Sequence, residues 1–435
     1  MANPEVNWSA NYTYRAGIVR PRSITEVQAL VKGATDASPV RALGTRHTFN
    51  DVADPGASGT LINLSELPSR VIVDAERRIA TVTAGLRYGD LATALQEQGW
   101  AVHNLASLPH ISVAGAVATA THGSGSGNGN LSTTVAGLTF VDGSGELVTL
   151  RRGDADFDGA VVAFGSLGIV VELELDIVPS FEIAQTIYLG LPYENVSEAL
   201  DLAYSVSVFT DWSPAAVNQL WVKALVPEAD EAGAALAGGT ALHEASAREL
   251  GATPALHKLH PIASVDAAAT TAQFGEPGPW HERLPHFRLD FEPSAGEEIQ
   301  SEFLLPRRHA QAAIAALVAE TEAITPLILV SEIRAIAADG LWLSTAFTTG
   351  GDEFADGAVA FHFTWKRDQA AVEIATAVVE KALAPFGARP HWGKVFTDTA
   401  GVPGLYPRWA DFRALVAKYD RRGVFRNDYT RALGL

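Results

Sequence analysis

Arg41-Ala-Leu-Gly-Thr-Arg-His-Thr-Phe-Asn-Asp51 is the stretch on which the reading of the fold turns. A short apolar lead from Pro39 reads as a strand and breaks at Gly44. Thr45, Arg46, His47, Thr48 and Asn50 then crowd hydrogen-bonding groups into one turn. Glycine lets a chain leave a strand sharply and brings backbone N–H groups close to an anion. Hydroxyls beside an arginine suit a pyrophosphate. In isolation, a polar turn after a strand is the simpler reading, so the rest of the chain decides.

At 435 residues the chain exceeds one ordinary domain. A hydrophobic share of 47% against 19% charged residues supports a large core. The net charge of −18 argues against nucleic acid and anionic membranes as partners, since both are polyanions. The absence of cysteine excludes disulfides, thiolate metal sites and a cysteinyl cofactor link. Met1-Ala-Asn-Pro-Glu-Val-Asn-Trp8 lacks the basic and apolar regions of a signal peptide. No run of about 18 apolar residues occurs. A soluble cytoplasmic monomer is the expectation.

Before the opening loop, Ser23 with Glu26 three residues on caps a helix striped by Val27, Leu30 and Val31. After it, 61–64 and 78–84 read as strands, and Tyr88 to Gly99 as an amphipathic helix ended by glycine. Ala106-Ser-Leu-Pro-His-Ile-Ser-Val-Ala-Gly-Ala-Val-Ala-Thr-Ala-Thr-His-Gly-Ser-Gly125 follows. Its small apolar centre, 113–120, predicts a tight helix. That helix either admits a flat or phosphate-bearing ligand close to backbone or is simply buried between glycine loops. Strands at 135–141 and 147–150 join through Asp142-Gly-Ser-Gly145. A second glycine loop, 160–168, leads to a strand that alternates Leu173, Leu175 and Ile177 with Glu172, Glu174 and Asp176. Pro179 ends it and sets a boundary near 180. Beyond, helical stretches (194–209, 227–250, 307–323) alternate with strands at 185–189, 219–223, 327–334 and 358–365. This is an α+β pattern with an antiparallel sheet covered by helices. Phe412 to Tyr429 reads as a helix and a turn.

Several enzyme classes lack their motifs here. There is no Gly-x-Gly-x-x-Gly after an N-terminal strand, no Gly-x(4)-Gly-Lys-[Ser/Thr], no His-Glu-x-x-His and no Gly-x-Ser-x-Gly. His103, His110 and His122 lack tight ligand spacing, and no metal is expected. Glu332 and Arg334 lie two apart on a strand and share a face. His362 sits on another strand, and His391-Trp-Gly-Lys394 closes the region. Singly these are a surface ion pair, a satisfied histidine and a solvated lysine. Together they make coherent chemistry. Glu and Arg can grip a hydroxyl, histidine can take its proton, and lysine can stabilise developing negative charge.

Arg41–Asp51 and Ala106–Gly125, followed by Ser331-Glu-Ile-Arg334, Phe361-His-Phe-Thr364 and Arg389-Pro-His-Trp-Gly-Lys394, resemble the alditol oxidases, flavoproteins of the vanillyl-alcohol-oxidase type. The match runs in order along nearly the whole chain. The resemblance implies a two-part FAD-binding domain, 1–180 with a returning C-terminal segment 391–435, and an inserted α+β substrate cap, 181–390. Tyr419-Asp-Arg-Arg-Gly-Val-Phe-Arg-Asn-Asp-Tyr429 looks like the family's closing motif. Ala42, Leu43, Gly44, Thr45, Arg46, His47 and Thr48 would cradle the pyrophosphate, with FAD covalently on His47. Ser107, Ser112, Gly115, Thr119, Ala120, Thr121 and His122 would line the cofactor, with Ile169 on the adenine side and His391 at the flavin. Ser107, Glu332, Arg334 and Thr364 would hold a polyol, and His362, Lys394 and Arg334 would serve the chemistry. The implied reaction oxidises a terminal CH₂OH of xylitol or sorbitol to the aldehyde. Hydride passes to flavin N5, and O₂ then reoxidises the flavin and gives H₂O₂.

Two features depart from that pattern. The segment 348–357 is long for the family and is expected at the pocket rim. Ala106 occupies the place where such flavoproteins control oxygen access, which leaves oxidase against dehydrogenase behaviour open. Two other readings compete. An aldonolactone oxidase or dehydrogenase shares Glu-x-Arg and His-Trp-x-Lys, but 41–51 and 106–125 match the polyol enzymes more fully. A non-catalytic flavin- or sugar-binding protein would not need His362 and Lys394 together.

Overall fold

A computed structural model describes residues 5–213, 216–227, 243–291 and 298–435. The predicted helix at 23–32 forms as Ile24–Gly33. The Ser23 hydroxyl accepts from the Glu26 N–H, and Val27 and Val31 are buried. It packs on a small parallel sheet of Gly17–Val19, Thr60–Ile62 and Val40–Ala42, with Thr60–Ile62 central. An antiparallel sheet follows in the order Val71–Asp74, Ile79–Thr83, Gly168–Asp176, Val135–Asp142, Leu147–Arg151. In Gly168–Asp176 the predicted alternation holds. Leu173 and Leu175 are buried while Glu172 and Glu174 face outward, to Arg70 and Arg151.

The ribbon Val178–Pro179, paired with Trp100–Ala101, hands the chain to a larger antiparallel sheet. Nine strands belong to it among the described residues. Its central order is Gln219–Leu225, Ser205–Thr210, Ile328–Ile336, Ala358–Lys366, Glu298–Pro306. Helices Ala310–Ala319 and Gln369–Leu383 cover one face. In the second, Val372, Ala375, Val379 and Leu383 follow helical spacing into the core. The small-residue helix forms as Val113–Ala118, and Trp409–Tyr419 is the predicted tail helix.

Two expectations need correction. The stretch 194–209 is not one helix. Short turns at Tyr193–Asn195 and Val196–Ala199 give way to the strand Ser205–Thr210, which is buried throughout and pairs with both Gln219–Leu225 and Ile328–Ile336. Val206, Val208 and Phe209 fit a pleated interior better than a helix face. Of 227–250, residues 243–249 are helical and 228–242 lie outside the described residues. The segment 348–357 is not at the pocket rim. Asp352 closes it on Thr348 and Thr349, and buried Phe354 lies under the Arg389 guanidinium at 3.8 Å. The segment is absorbed in packing.

Three seams join the parts. Gly125 N–H donates to Ala335 O (2.8 Å), tying the glycine-rich segment to the Glu332/Arg334 strand. Residues 391–395 are clamped between the opening loop and the large sheet: Phe49 N–H donates to Gly393 O, His391 N–H to Glu302 O and Val395 N–H to Gln300 O. Arg41 is buried, and its guanidinium donates to four carbonyls, Val52, Phe164, Gly165 and Phe425, so the tail returns to the first strands through it.

Candidate active site

A cavity of about 410 Å³ runs from the opening loop to the face of the large sheet. At the loop end, the backbone N–H groups of Gly44, Thr45, Arg46, His47 and Thr48 donate to no acceptor among the described residues. Five consecutive free donors form an anion-binding nest. Arg46 holds φ +66° there, while its guanidinium turns outward to Glu5. Leu43 packs with Tyr14, Ala16 and Leu61, so it offers the cavity mainly backbone. The loop is held from behind. Asn7 Nδ2 donates to Thr48 O (2.7 Å), Asn11 Nδ2 to Phe49 O, and Trp8 N–H to Arg46 O.

A Cβ at Gly44 would collide with the Ser112 hydroxyl, and one at Gly115 would come within 2.6 Å of it. The opening loop therefore meets the small-residue helix at backbone distance. Ala42, Ser107, Ser112, Gly115, Thr119, Thr121 and His122 all line the cavity, as does Ala106. Thr48 Oγ1 is buried without a hydrogen-bond partner among the described residues. This donor-rich cradle beside flat, small-residue walls fits the pyrophosphate and ring of FAD. His47 is half-buried and open to the cavity; its Nδ1 is 3.0 Å from Thr45 Oγ1, and Trp8 stacks on its ring at 5.5 Å. Burial pushes its pKa down to about 4, so the ring is neutral.

Two residues expected to line the cofactor are not on the cavity wall. Ala120 is fully buried at φ +53°, and its neighbours Thr119 and Thr121 face the cavity. Ile169 packs with Val27, Val141 and Val171, while Gly168 and Val170 line the cavity. In a strand, adjacent side chains point to opposite faces, and the expectation took the wrong parity.

At the other end, strand register builds the site. Glu302, His362 and Glu332 lie directly opposite one another on three adjacent strands. Glu302 Oε1 is 2.7 Å from Arg334 Nη2, Glu302 Oε2 is 2.7 Å from Lys394 Nζ, and Arg334 Nε is 3.5 Å from Glu332 Oε1. His122 Nε2 lies 3.1 Å from Glu302 Oε1, out of line for a hydrogen bond. His362 Nε2 is 3.0 Å from Gln300 Oε1, and its Nδ1 has no hydrogen bond among the described residues. Thr364 and His391 also line the cavity. Sequence reasoning missed Glu302, Gln300 and His286. The local signal is the polar alternation Glu298, Gln300, Glu302 at the start of a strand that ends Phe303-Leu-Leu-Pro306.

Burial and then the Lys394 charge drive the His362 pKa well below its ordinary value. Burial also lowers Lys394, against the pull of Glu302. Burial raises Glu302 and Glu332, but the surrounding cations win and hold both far below the usual range. Two carboxylates thus balance Arg334 and Lys394 around a neutral imidazole. Burial likewise lowers His391 to about 3 and His286 to about 4.

These depressed values make the fold acid-sensitive. The unfolded chain binds the missing protons, so stability is full above the ordinary 6.5 of histidine and is lost as pH falls towards 4 and 3. The two glutamates act in the same direction below the ordinary 4.5. The thermal midpoint at constant ionic strength is expected to drop steadily from pH 6.5 to 4. A flat profile would contradict the neutral buried histidines.

Among the described residues, no group of three His, Cys, Asp or Glu is placed to hold a metal ion, and no helix is long and apolar enough to cross a membrane.

Comparison with known proteins identifies the family. Residues 15–151 match the FAD binding domain model, and 297–433 match the model of D-arabinono-1,4-lactone oxidase. An alditol oxidase from a Streptomyces species is 41% identical, over 100% of this chain and 99% of its own length. An L-gulono-1,4-lactone dehydrogenase from Mycobacterium tuberculosis is 26% identical, over 96% of this chain and 95% of its own. Among solved structures, a solvent-stable cholesterol oxidase superposes with a TM-score of 0.77 at 18% identity, covering 99% of this chain and 97% of that one. A cholesterol oxidase from B. sterolicum gives 0.75 at 15%, covering 99% and 96%; at such identity these two share the fold alone. The chain is an FAD-dependent oxidoreductase and belongs to the alditol oxidase family of vanillyl-alcohol-oxidase-type flavoproteins.

Proposed function

We propose that this protein oxidises a terminal CH₂OH of an acyclic polyol such as xylitol or sorbitol to the aldehyde, with O₂ as the final acceptor and H₂O₂ as co-product. The supporting observation is the row Glu332–His362–Glu302, flanked by Arg334 and Lys394, on the wall of a cavity that also holds the anion nest. Bound FAD supplies the hydride acceptor and the route of electrons to oxygen. In this reading the neutral His362 takes the hydroxyl proton on its open Nδ1, with Gln300 holding the ring by Nε2. Arg334 and Lys394 orient the hydroxyl and stabilise negative charge. Glu332, Thr364 and Ser107 receive the remaining hydroxyls.

The same reading assigns 1–180 with 391–435 to the cofactor and 181–390 to a substrate cap, in line with the division of sheets near 180. It also includes a monomeric, cytoplasmic enzyme whose partners are the polyol and O₂. FAD is attached covalently through His47, whose neutral ring opens onto the cavity beside the nest.

A visible spectrum before and after acid precipitation, with xylitol then added anaerobically to native protein, tests this. Yellow colour in the pellet and bleaching by xylitol are expected. Bleaching by a galactonolactone and not by xylitol would overturn the polyol assignment. In His47→Ala the colour should move to the acid supernatant; colour retained in the pellet would place the link elsewhere.

A further inference from the structure

Behind Glu332 lies a buried pair that the reaction as described does not use. Lys223, on Gln219–Leu225, directs Nζ at three acceptors: the carbonyls of Leu284 and Pro285, and His286 Nδ1 at 3.1 Å. His286 Nε2 is 2.8 Å from Glu332 Oε1. Phe209 and Trp221 meet the imidazole edge-on at 5.5 and 5.2 Å and fix its plane. The His286 backbone N–H donates to Ser107 O (3.1 Å), so the pair is tied to both walls of the cavity.

Donor counting settles the protons. Burial lowers Lys223 to about 7 against the pull of Glu332; in its charged form its three protons meet three acceptors. A carboxylate only accepts. His286 therefore carries its proton on Nε2, and Lys223 keeps one off Nδ1. The charged groups around His286 are Lys223, Glu332 and Arg334. Glu332 spends Oε1 on His286 and Arg334, and Oε2 has no partner among the described residues while the residue lines the cavity.

We infer that Lys223 and His286 are positioning residues that hold Glu332 as an acceptor-only carboxylate, so that its free oxygen demands a hydroxyl of the substrate beyond the one being oxidised. This rests on the polyol reading. It makes selectivity for polyhydric over monohydric alcohols a property of the buried pair. Without Lys223, His286 Nδ1 loses its donor and the ring is free to tilt away from Glu332, while burial still keeps it neutral.

Two measurements test it on the flavin-loaded, full-length protein. The ¹⁵N spectrum of histidine-labelled enzyme at neutral pH, with His286 assigned by its loss in His286→Gln, should show the neutral Nε2–H tautomer. Lys223→Met should leave the ring neutral and move the bare Nδ1 resonance downfield, because that nitrogen loses its donor. A wild-type Nδ1–H form, or no change in Lys223→Met, overturns the lock. In kinetics, His286→Leu should lower the ratio of kcat/KM for xylitol over 1-butanol by about tenfold or more, the scale of one lost charged hydrogen bond. His286→Gln, whose amide accepts from Lys223 and donates to Glu332, should restore that ratio to within about threefold. Equal ratios in the Leu and Gln variants, with flavin content and thermal midpoint retained, overturn the selectivity role. A wild-type enzyme that no polyol reduces refutes the proposed function instead, and the tautomer measurement still decides the lock.

Discussion

His362→Ala is expected to slow anaerobic reduction of the bound flavin by xylitol by about 10²–10⁴-fold, the usual contribution of a positioned general base, at unchanged flavin content. The two halves of that expectation have separate causes. In the proposed reading flavin is held at the other end of the cavity, by the free N–H groups of 44–48 and the meeting of Gly44, Ser112 and Gly115. His362 sits on a strand hydrogen-bonded on both sides, to Glu298–Pro306 and Ile328–Ile336, so its backbone stays put when the side chain is cut. The ring is neutral because burial and Lys394 oppose its charge, which leaves it able to take a proton at neutral pH. Stopped-flow reduction by a saturating polyol reads the step directly, and added imidazole should recover part of the rate through the vacated space. Reduction at the wild-type rate would remove His362 from the chemistry.

Glu302→Leu is expected to destabilise the protein by about 3–5 kcal/mol, the typical cost of breaking a buried ion pair from one side. The carboxylate is 1% exposed and is the direct counter-charge of both Arg334 and Lys394. Leucine fills the volume but leaves two buried cations without their direct counter-charge, facing Glu332 and, beyond ion-pair distance of Lys394, Glu298. At roughly 2–4 °C per kcal/mol for large domains, the thermal midpoint should fall by on the order of 10 °C. Glu302→Gln retains shape and an acceptor oxygen, and should fall between wild type and Leu. A Leu variant as stable as wild type would show that Arg334 and Lys394 reach other counter-charges. Since Glu302 also anchors Lys394, either variant should lose polyol turnover even where it folds.

Local spacing made much of this protein readable from its sequence. The cap at Ser23, the two-residue alternation of 172–177, the Asp142–Gly145 turn and the donor cluster at 44–50 are short-range patterns that covalent geometry converts directly into structure. The shared face of Glu332 and Arg334 followed from the same rule. Tertiary structure decided the rest. The strand at 205–210 exists because it is buried between Gln219–Leu225 and a partner far along the chain, Ile328–Ile336. That Gly168 and Val170 line the cavity in place of Ile169, and Thr119 and Thr121 without Ala120, depends on which face packing turns inward. Glu302 carries no local mark of importance. It matters because sheet register sets it opposite His362, and because residues 391–395 dock on its strand and bring Lys394 to it. Lys223 and His286, 63 residues apart, meet only in the folded chain. Sequence spacing is felt over a few residues through backbone geometry, whereas a charge network is assembled from strands that become neighbours only after the sheet has closed.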